Sequence, residues 1–572
     1  MPTEKSKGIV NTLAARCKDC YRCVRECPVK AICVKNGQAS VEQERCISCG
    51  VCIKVCPQNA KTYRNDIQNV KMLLSESKGK VVASVAPSFA AIFSNWQANR
   101  LPSILRKLGF SKVSNTAEGA YLLARDFVKF DHDLKENSLK LVSACPAVVN
   151  YVEKYKHDYI ESLTPLVSPM IAHAKMLKKL YSDETVVIFI GPCICKKFEA
   201  DRPEFQGLID AVLTFDELKQ WFVSENINFQ TFEDSGFDNN FYMGDAGVFP
   251  IPGGIMKTAK KYEDNLATDV IHTSGDFELL EMLEADLSNI SIVDALFCNE
   301  GCLNGPGIRD EKNVFQRRND LLEYYKTKTE PLKNNNNVEV CLKTNFKQKI
   351  VKSQREVPHS EIQKVLAKTG KQDAKNQLNC GACGYKSCVD NAIAVVNGIA
   401  QTDMCIPYMR MQAEQRMDMI METIPHGIVI LDDDLRLIGM NPAFRKMFLC
   451  SDATLGRRIS YLMDSKDFEK IVSGVAQKAE STVTFNGSKY HQFIYSLQEH
   501  KQHVGIYTKI DRVEFHEDKL NLIKSEVIEK ALEIRDCQIK MANDFAMILG
   551  QNTAKAEEML CDLMNVYDET KS

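Results

Sequence analysis

Apolar residues along this chain follow two rhythms. Between Lys80 and Tyr325, short unbroken apolar runs alternate with stretches of helical spacing. VVASVA (81–86), VSNTA (113–117), LKLVSA (139–144), TVVIFI (185–190) and SIVDALF (291–297) predict buried strands of a mixed or parallel sheet. Tyr151 to Tyr155 and Pro169 to Leu180 predict helices between them. Further on, GIVILDDDLRLIGMNPAF (427–444) predicts a strand, a polar turn, a second strand and a helix opened by Asn441-Pro442. STVTFNGSKYHQFIYSL (481–497) and HVGIYTKID (503–511) add later strands with alternation. Over 516–549, Leu520, Ile523, Val527, Ile534, Met541 and Ile548 fall on three-to-four spacing. That partial heptad fits a dimeric signalling helix or an amphipathic helix packed on its own domain. Gly550-Gln551-Asn552 breaks it, and with no histidine after His516 there is no phosphoacceptor helix of the histidine-kinase kind.

Three of the predicted strands end in cysteine. LKLVSACPAV leads to Cys145-Pro146, TVVIFIGPCICK to Pro192-Cys193, and SIVDALFCNEGCLNGPG to Cys298 and Cys302. Gly301, Gly305 and Gly307 let the last loop pass close to something bulky. Ligands of open α/β sheets collect at the carboxyl ends of strands. Four thiolates delivered there are enough for one 4Fe–4S cluster.

Length and charge narrow the picture. At 572 residues the chain holds several domains, because single cores rarely grow past about 250–300 residues. A net charge of −2 argues against nucleic acid and anionic membranes as partners. The start, MPTEKSKGIV, has no apolar signal-peptide core, and no run is long and apolar enough to span a membrane. Twenty-two cysteines without an export signal point to reduced thiols holding metal in the cytoplasm, in an anaerobe.

Two further cysteine patterns have their own chemistry. Residues 17–57 repeat C-x2-C-x2-C-x3-C-P, as Cys17, Cys20, Cys23, Cys27 and again as Cys46, Cys49, Cys52, Cys56. This is the ferredoxin run for two 4Fe–4S clusters, in which the fourth cysteine of each run ligates the other cluster. The expected sets are Cys17, Cys20, Cys23 and Cys56, and Cys46, Cys49, Cys52 and Cys27; Cys33 lies outside the pattern. Near the middle, NCGACGYKSC with a later cysteine gives Cys380, Cys383, Cys388 and Cys405. Such a set suits zinc as well as iron–sulfur. Its glycines, following helix and CIP ending resemble a small 4Fe–4S domain of corrinoid proteins and electron carriers.

VSACPAVV, GPCICKKFEA and FCNEGCLNGPG resemble the three signature segments of the FeFe-hydrogenase active-site domain. SVAPSFA (84–90) and GVFPIPGGIMK (247–257) resemble its pocket-lining stretches, so the likeness covers roughly 80–325. The resemblance implies that Cys145, Cys193, Cys298 and Cys302 hold a 4Fe–4S cluster, with Cys302 bridging to a diiron unit that carries CO, cyanide and a dithiolate. It implies that Lys196 donates to an iron-bound cyanide, a sensible role for an ammonium in a dry pocket. Ala86, Pro87 and Ser88 would border the diiron unit, and Phe249, Gly253 and Gly254 would wall it.

The departures from that pattern are as informative. Catalytic members carry a proton-relaying cysteine where this chain has Ala144, and methionines where it has Gly191 and Leu296. A methyl group carries no proton, so the usual route is broken or rerouted. Glu300, between two ligand cysteines, is a candidate replacement carrier. The segment 411–515 looks like a PAS domain; His426, His491, His500 and His503 do not single out a ligand.

The reading is an α/β multidomain protein of the sensory FeFe-hydrogenase type. Its domains would be a two-cluster ferredoxin module (1–66), the H-cluster domain (78–325), a linker (326–372), a small 4Fe–4S domain (373–410), an α+β PAS domain (411–515) and a C-terminal helix (516–572). It would react slowly with H2 and protons and signal through the PAS domain. Expected partners are a ferredoxin-like electron carrier, a downstream kinase or phosphatase, diiron maturation proteins and a second copy of itself. A catalytic ferredoxin-linked hydrogenase and an iron–sulfur redox sensor without a diiron site are the rivals.

Overall fold

The computed structural model describes residues 8–510 apart from 36, 133–138, 239–243, 261–268, 310–311, 327–337, 352–355 and 498–500. The predicted helix over 516–549 lies outside them. The chain divides into two compact units, Met1–Met411 and Gln412–Ser572.

In the first unit the buried strands divide between two parallel sheets instead of joining one. Val81–Val85 lies between Lys112–Asn115 and Val186–Gly191, and the last of these pairs with Ala211–Thr214. The second sheet runs Val270–Ser274, Ile292–Leu296, Lys140–Leu141. Its third strand is only two residues long. The apolar run LKLVSA predicts a longer strand; Val142, Ser143 and Ala144 are buried beyond its end, and Ser143 turns its hydroxyl to Thr164 and the Leu166 carbonyl. Valine- and isoleucine-rich strands buried on both faces are what a parallel sheet requires. Helices pack around these sheets, among them Pro146–Tyr155 and Pro169–Leu180, each with proline in its first turn.

The N-terminal module is two small antiparallel ribbons, Val10–Thr12 with Lys61–Tyr63 and Ile32–Lys35 with Gln38–Val41. It docks on the larger domain through buried contacts. The Ile47 carbonyl accepts from the Asn150 amide and the Cys195 thiol, and Lys154 donates to the Cys46 carbonyl at 2.7 Å. Gly50 lies so close to Pro306 that a Cβ would sit 2.5 Å from its ring.

Within the expected linker over 326–372, two stretches are packed into buried cores. Val338 and Leu342 join the core of the two-sheet domain, and Val167 N–H bonds the Leu342 carbonyl at 2.9 Å. The helix His359–Lys368 packs Ile362 and Leu366 against Cys388 and Ala392 of the helix Cys388–Val396. The small cysteine domain therefore starts well before residue 373. Polar composition hid this, because so short a domain needs few apolar side chains.

In the second unit, Gly427–Asp432, Leu437–Met440, Lys478–Phe485, Ser488–Leu497 and Gln502–Ile510 form one antiparallel sheet. Asn441 caps the helix Pro442–Phe448, accepting from Phe444 N–H and Ile428 N–H while donating to the His426 carbonyl. Phe444, Phe448, Phe468, Tyr490 and Tyr507 fill the core against the sheet.

Candidate metal centres

Each element that ends at a cysteine contributes one wall of a cavity. Cys145 caps the helix Pro146–Tyr155 just beyond the short strand. Cys193 lies between the strand Val186–Gly191 and the helix Cys195–Ala200. Cys298 follows Ile292–Leu296, and Cys302 opens a short 3-10 turn. All four line a single cavity of about 810 Å³. The remaining twelve motif cysteines line three others. Cys27, Cys46, Cys49 and Cys52 share one of about 320 Å³, and Cys17, Cys20, Cys23 and Cys56 one of about 350 Å³. Cys380, Cys383, Cys388 and Cys405 share one of about 280 Å³.

Cys27 thus shares a cavity with cysteines of the second run, and Cys56 one with cysteines of the first. Among the described residues, no group of three or more His, Cys, Asp or Glu could hold a metal ion. The motif thiols stand around cavities instead. The cavity of Cys145, Cys193, Cys298 and Cys302 is the largest of these four.

Burial makes thiolates costly here. It pushes Cys193 up to about 11, with the Cys145 thiol adding to the effect, and drives Cys298 well above the usual thiol range. Cys23 and Cys46 also rise to about 11, burial being the main cause. Cationic iron bound to these sulfurs would reverse that cost.

Around the large cavity the wall is almost wholly apolar. Ala86, Pro87, Ser88, Ala144, Phe249 and Lys196 all line it, together with Leu296. Ser88 Oγ is buried and has no hydrogen-bond partner among the described residues, an orphaned donor on the cavity wall. Lys196 Nζ lies 2.8 Å from Glu199; burial works to lower its pKa, but the charge and hydrogen bond of Glu199 together with the Cys193 and Cys145 thiols raise it. Its neighbour Lys197 serves structure instead, bonded to Asp66, Glu217 and the Val212 carbonyl. Gly253 and Gly254 stand behind Phe249 and Pro250 and do not line the cavity. A Cβ at Gly254 would lie 2.6 Å from the Val248 carbonyl, so its role is close backbone packing.

Glu300 does not line the cavity either. It has φ +59° on the loop, is half-buried, and its carboxylate lies 3.9 Å from Arg318. Gly301, at φ +79°, lets this loop pass where a Cβ would meet the Pro250 carbonyl at 2.5 Å.

Sequence reasoning missed several residues at these centres. Phe189, Met170 and Thr116 line the large cavity, and Phe189 fits because Gly191 has no side chain: a Cβ there would lie 2.6 Å from the Phe189 ring. Cys49 lines both the large cavity and that of its own set, so the two touch through one residue. Lys371 lines the cavity of Cys380 and Cys405 from the stretch taken for a linker, where no motif marked it.

Comparison with known proteins covers these same segments. Residues 79–306 match the family model of the iron-only hydrogenase large subunit, C-terminal domain. Residues 9–57 match a 4Fe-4S dicluster domain, 376–407 a putative Fe-S cluster domain, and 415–477 a PAS domain. Iron hydrogenase 1 of Clostridium pasteurianum is 25% identical over 301 residues, which are 43% of this chain and 52% of that protein. The cytosolic Fe-S cluster assembly factor NAR1 of Vanderwaltozyma polyspora is 36% identical over 89 residues, 16% of this chain and 17% of that protein. The chain thus spans about half the length of the hydrogenase it matches. A solved structure of FeFe-hydrogenase HydA1 from Chlamydomonas reinhardtii aligns at a TM-score of 0.38 with 18% identity, over 50% of this chain and 99% of that one. No helix among the described residues is long and apolar enough to cross a membrane.

Proposed function

We propose that this chain, a FeFe-hydrogenase-like protein with a 4Fe–4S dicluster domain and a PAS domain, is of the sensory type. It reacts slowly with H2 in the large cavity and reports the redox state of its clusters to a regulatory partner. The observation that carries this is one apolar cavity lined by Cys145, Cys193, Cys298 and Cys302 with Ala144 on its wall. The four thiols would hold a 4Fe–4S cluster, and the extra volume beside them would take a diiron unit with CO, cyanide and dithiolate ligands. That unit would supply H2 binding and cleavage when present.

This chain's own residues set what the pocket can do. Lys196 offers a charged donor, held protonated by Glu199. Ser88 offers an unpaired hydroxyl. Ala86, Pro87, Phe249 and Pro250 exclude water. Ala144 is 6% exposed and offers no proton, so proton supply and not H2 binding limits turnover. Electrons would leave through Cys49, which lines both cavities, to the N-terminal clusters. The four cysteines at 380–405 would hold a fourth cluster. We place the protein in the cytoplasm, with a ferredoxin-like electron partner, diiron maturation proteins and a kinase or phosphatase downstream.

A second reading is favoured by the likeness to an Fe-S cluster assembly factor: a cluster-holding protein that never acquires the diiron unit. Infrared spectra of protein matured with the diiron-assembly machinery test both. Bands of metal-bound CO and cyanide are expected; their absence from protein carrying its full complement of 4Fe–4S clusters would leave the second reading standing.

A further inference from the structure

We propose that Lys371 tunes the metal site of Cys380, Cys383, Cys388 and Cys405, raising its reduction potential above those of the two N-terminal sites. This rests on the iron–sulfur reading of those four cysteines and not on any H2 chemistry. The ammonium Nζ lies 2.7 Å from Cys405 Sγ and lines the same cavity. Lys371 is 9% exposed, so its charge is poorly screened. Adding an electron to a thiolate-bound cluster adds a negative charge, and a nearby buried cation with a hydrogen bond to sulfur favours that state.

The lysine is fixed in place rather than drifting over the site. Its N–H bonds the Leu366 carbonyl at 2.7 Å, closing the end of the helix His359–Lys368, and its own carbonyl accepts from Gln377 at 3.1 Å. Gly370, at φ +70°, makes the turn that delivers it. That helix is itself packed on Cys388 and Ala392. Buried lysines at the N-terminal sites direct their ammoniums to oxygen. Lys61 donates to Thr12 Oγ1 at 2.6 Å, and Lys154 to the carbonyls of Glu44 and Cys46.

Electrons have a short way to this site. Gly384 sits against the N-terminal module where a Cβ would lie 3.1 Å from Arg25 N, between Cys23 and Cys27. Tyr385 shares a buried core with those two cysteines. One electron enters per reduction, no proton leaves Lys371, and the reductant is a chemical donor such as dithionite. The helix Ile406–Thr423 begins at the residue after Cys405, so charge held here sits at its start.

The test is an anaerobic redox titration of the full chain with dithionite, followed by electron paramagnetic resonance, on wild type, Lys371→Met and Lys371→Arg. Iron is counted in each, and the signal of the 380–405 site is assigned by its loss in Cys383→Ser. In Lys371→Met the midpoint of that signal is expected to fall by at least a tenfold change in the reduced-to-oxidised ratio, 59 mV for one electron. Lys371→Arg should return most of the shift, and the two N-terminal midpoints should stay put. An unmoved midpoint at full iron content overturns the role of Lys371 and leaves the iron–sulfur reading intact. Zinc at these cysteines in wild type overturns both. If Lys371→Met loses its iron, the wild-type order decides: a 380–405 midpoint below both N-terminal ones overturns the proposal, and one above both supports it.

Discussion

At the scale of single residues, the proposed slow turnover rests on Ala144, which lines the large cavity. Proton transfer needs a titratable group within hydrogen-bond reach, and a correctly placed one contributes about 10²–10⁴-fold. Ala144 and its neighbours on the wall, Ala86, Pro87 and Phe249, supply none. Ala144→Cys is therefore expected to raise H2 turnover per diiron site, but only in part, because a thiol alone does not rebuild the rest of a proton route. Wild-type turnover as fast as that of catalytic hydrogenases in the same assay would remove the basis of the sensory reading. Glu300→Gln is the companion measurement. Because Glu300 lies off the cavity wall and near Arg318, little change is expected, and a steep loss of turnover would make it the replacement carrier.

Gly191 gives a second residue-scale expectation. A methionine there must displace the Phe189 ring, which a Cβ would already approach at 2.6 Å. Gly191→Met should therefore lower thermal stability by about 1–3 kcal/mol, the usual cost of overpacking, unless Phe189 is truncated with it. Melting of the single and the Gly191→Met, Phe189→Leu double variant checks this, with partial rescue expected in the double. The cavity-lining cysteines were legible in the sequence because their motifs have regular spacing. Phe189, Lys371 and Cys195 were not, because what they touch is decided by packing between distant segments.

At the scale of elements, the same division holds. Pro169–Leu180 was readable to its ends because serine and proline punctuate its start. The run 481–497 was read without its turn, although Asn486-Gly487 is a strong hairpin signal; both residues take positive φ, +48° and +77°, between two paired strands. The strands Ala211–Thr214 and Val270–Ser274 were passed over, being short runs with a weaker apolar signal than their neighbours.

One element junction yields a pH-dependent expectation. Asp238 accepts from Val113 N–H at 2.9 Å and from Arg106 at 2.7 Å, fastening a loop to the edge strand Lys112–Asn115. Burial alone would raise its pKa, but the Val113 N–H and the Arg106 charge outweigh it and hold the carboxyl below its usual value. A folded-state pKa below the unfolded one stabilises the fold above the unfolded value, about 3.9, and that gain is lost as pH falls through the folded value. Solvent screens a partly exposed group, so Asp238→Asn is expected to cost about 1 kcal/mol near pH 7. The difference from wild type in denaturant melts should shrink to nothing in strong acid, and a difference that persists there would mean the bond acts by shape and not by charge.

At the scale of the whole molecule, the motif cysteines and the segment matched by the PAS model occupy separate stretches of chain. All sixteen motif cysteines precede Met411, the end of the first compact unit, and each of the four cavities they line is built from residues of that unit. The second unit has its own sheet and its own aromatic core around Phe444, Phe448 and Tyr507. A core that is complete in itself does not need its neighbour to stay folded. Deleting everything after Arg410 should then leave four 4Fe–4S clusters, the infrared bands of the diiron unit and H2 turnover per site near their full-length values. What should vanish is the response of the regulatory partner to H2, since the segment matched by the PAS model is gone. The measurement pairs infrared and iron analysis of the truncated chain with a binding or activity assay of the partner under H2 and under argon. Loss of the infrared bands on truncation would mean that the active-site cavity depends on the second unit, and the division of labour proposed here would fall with it.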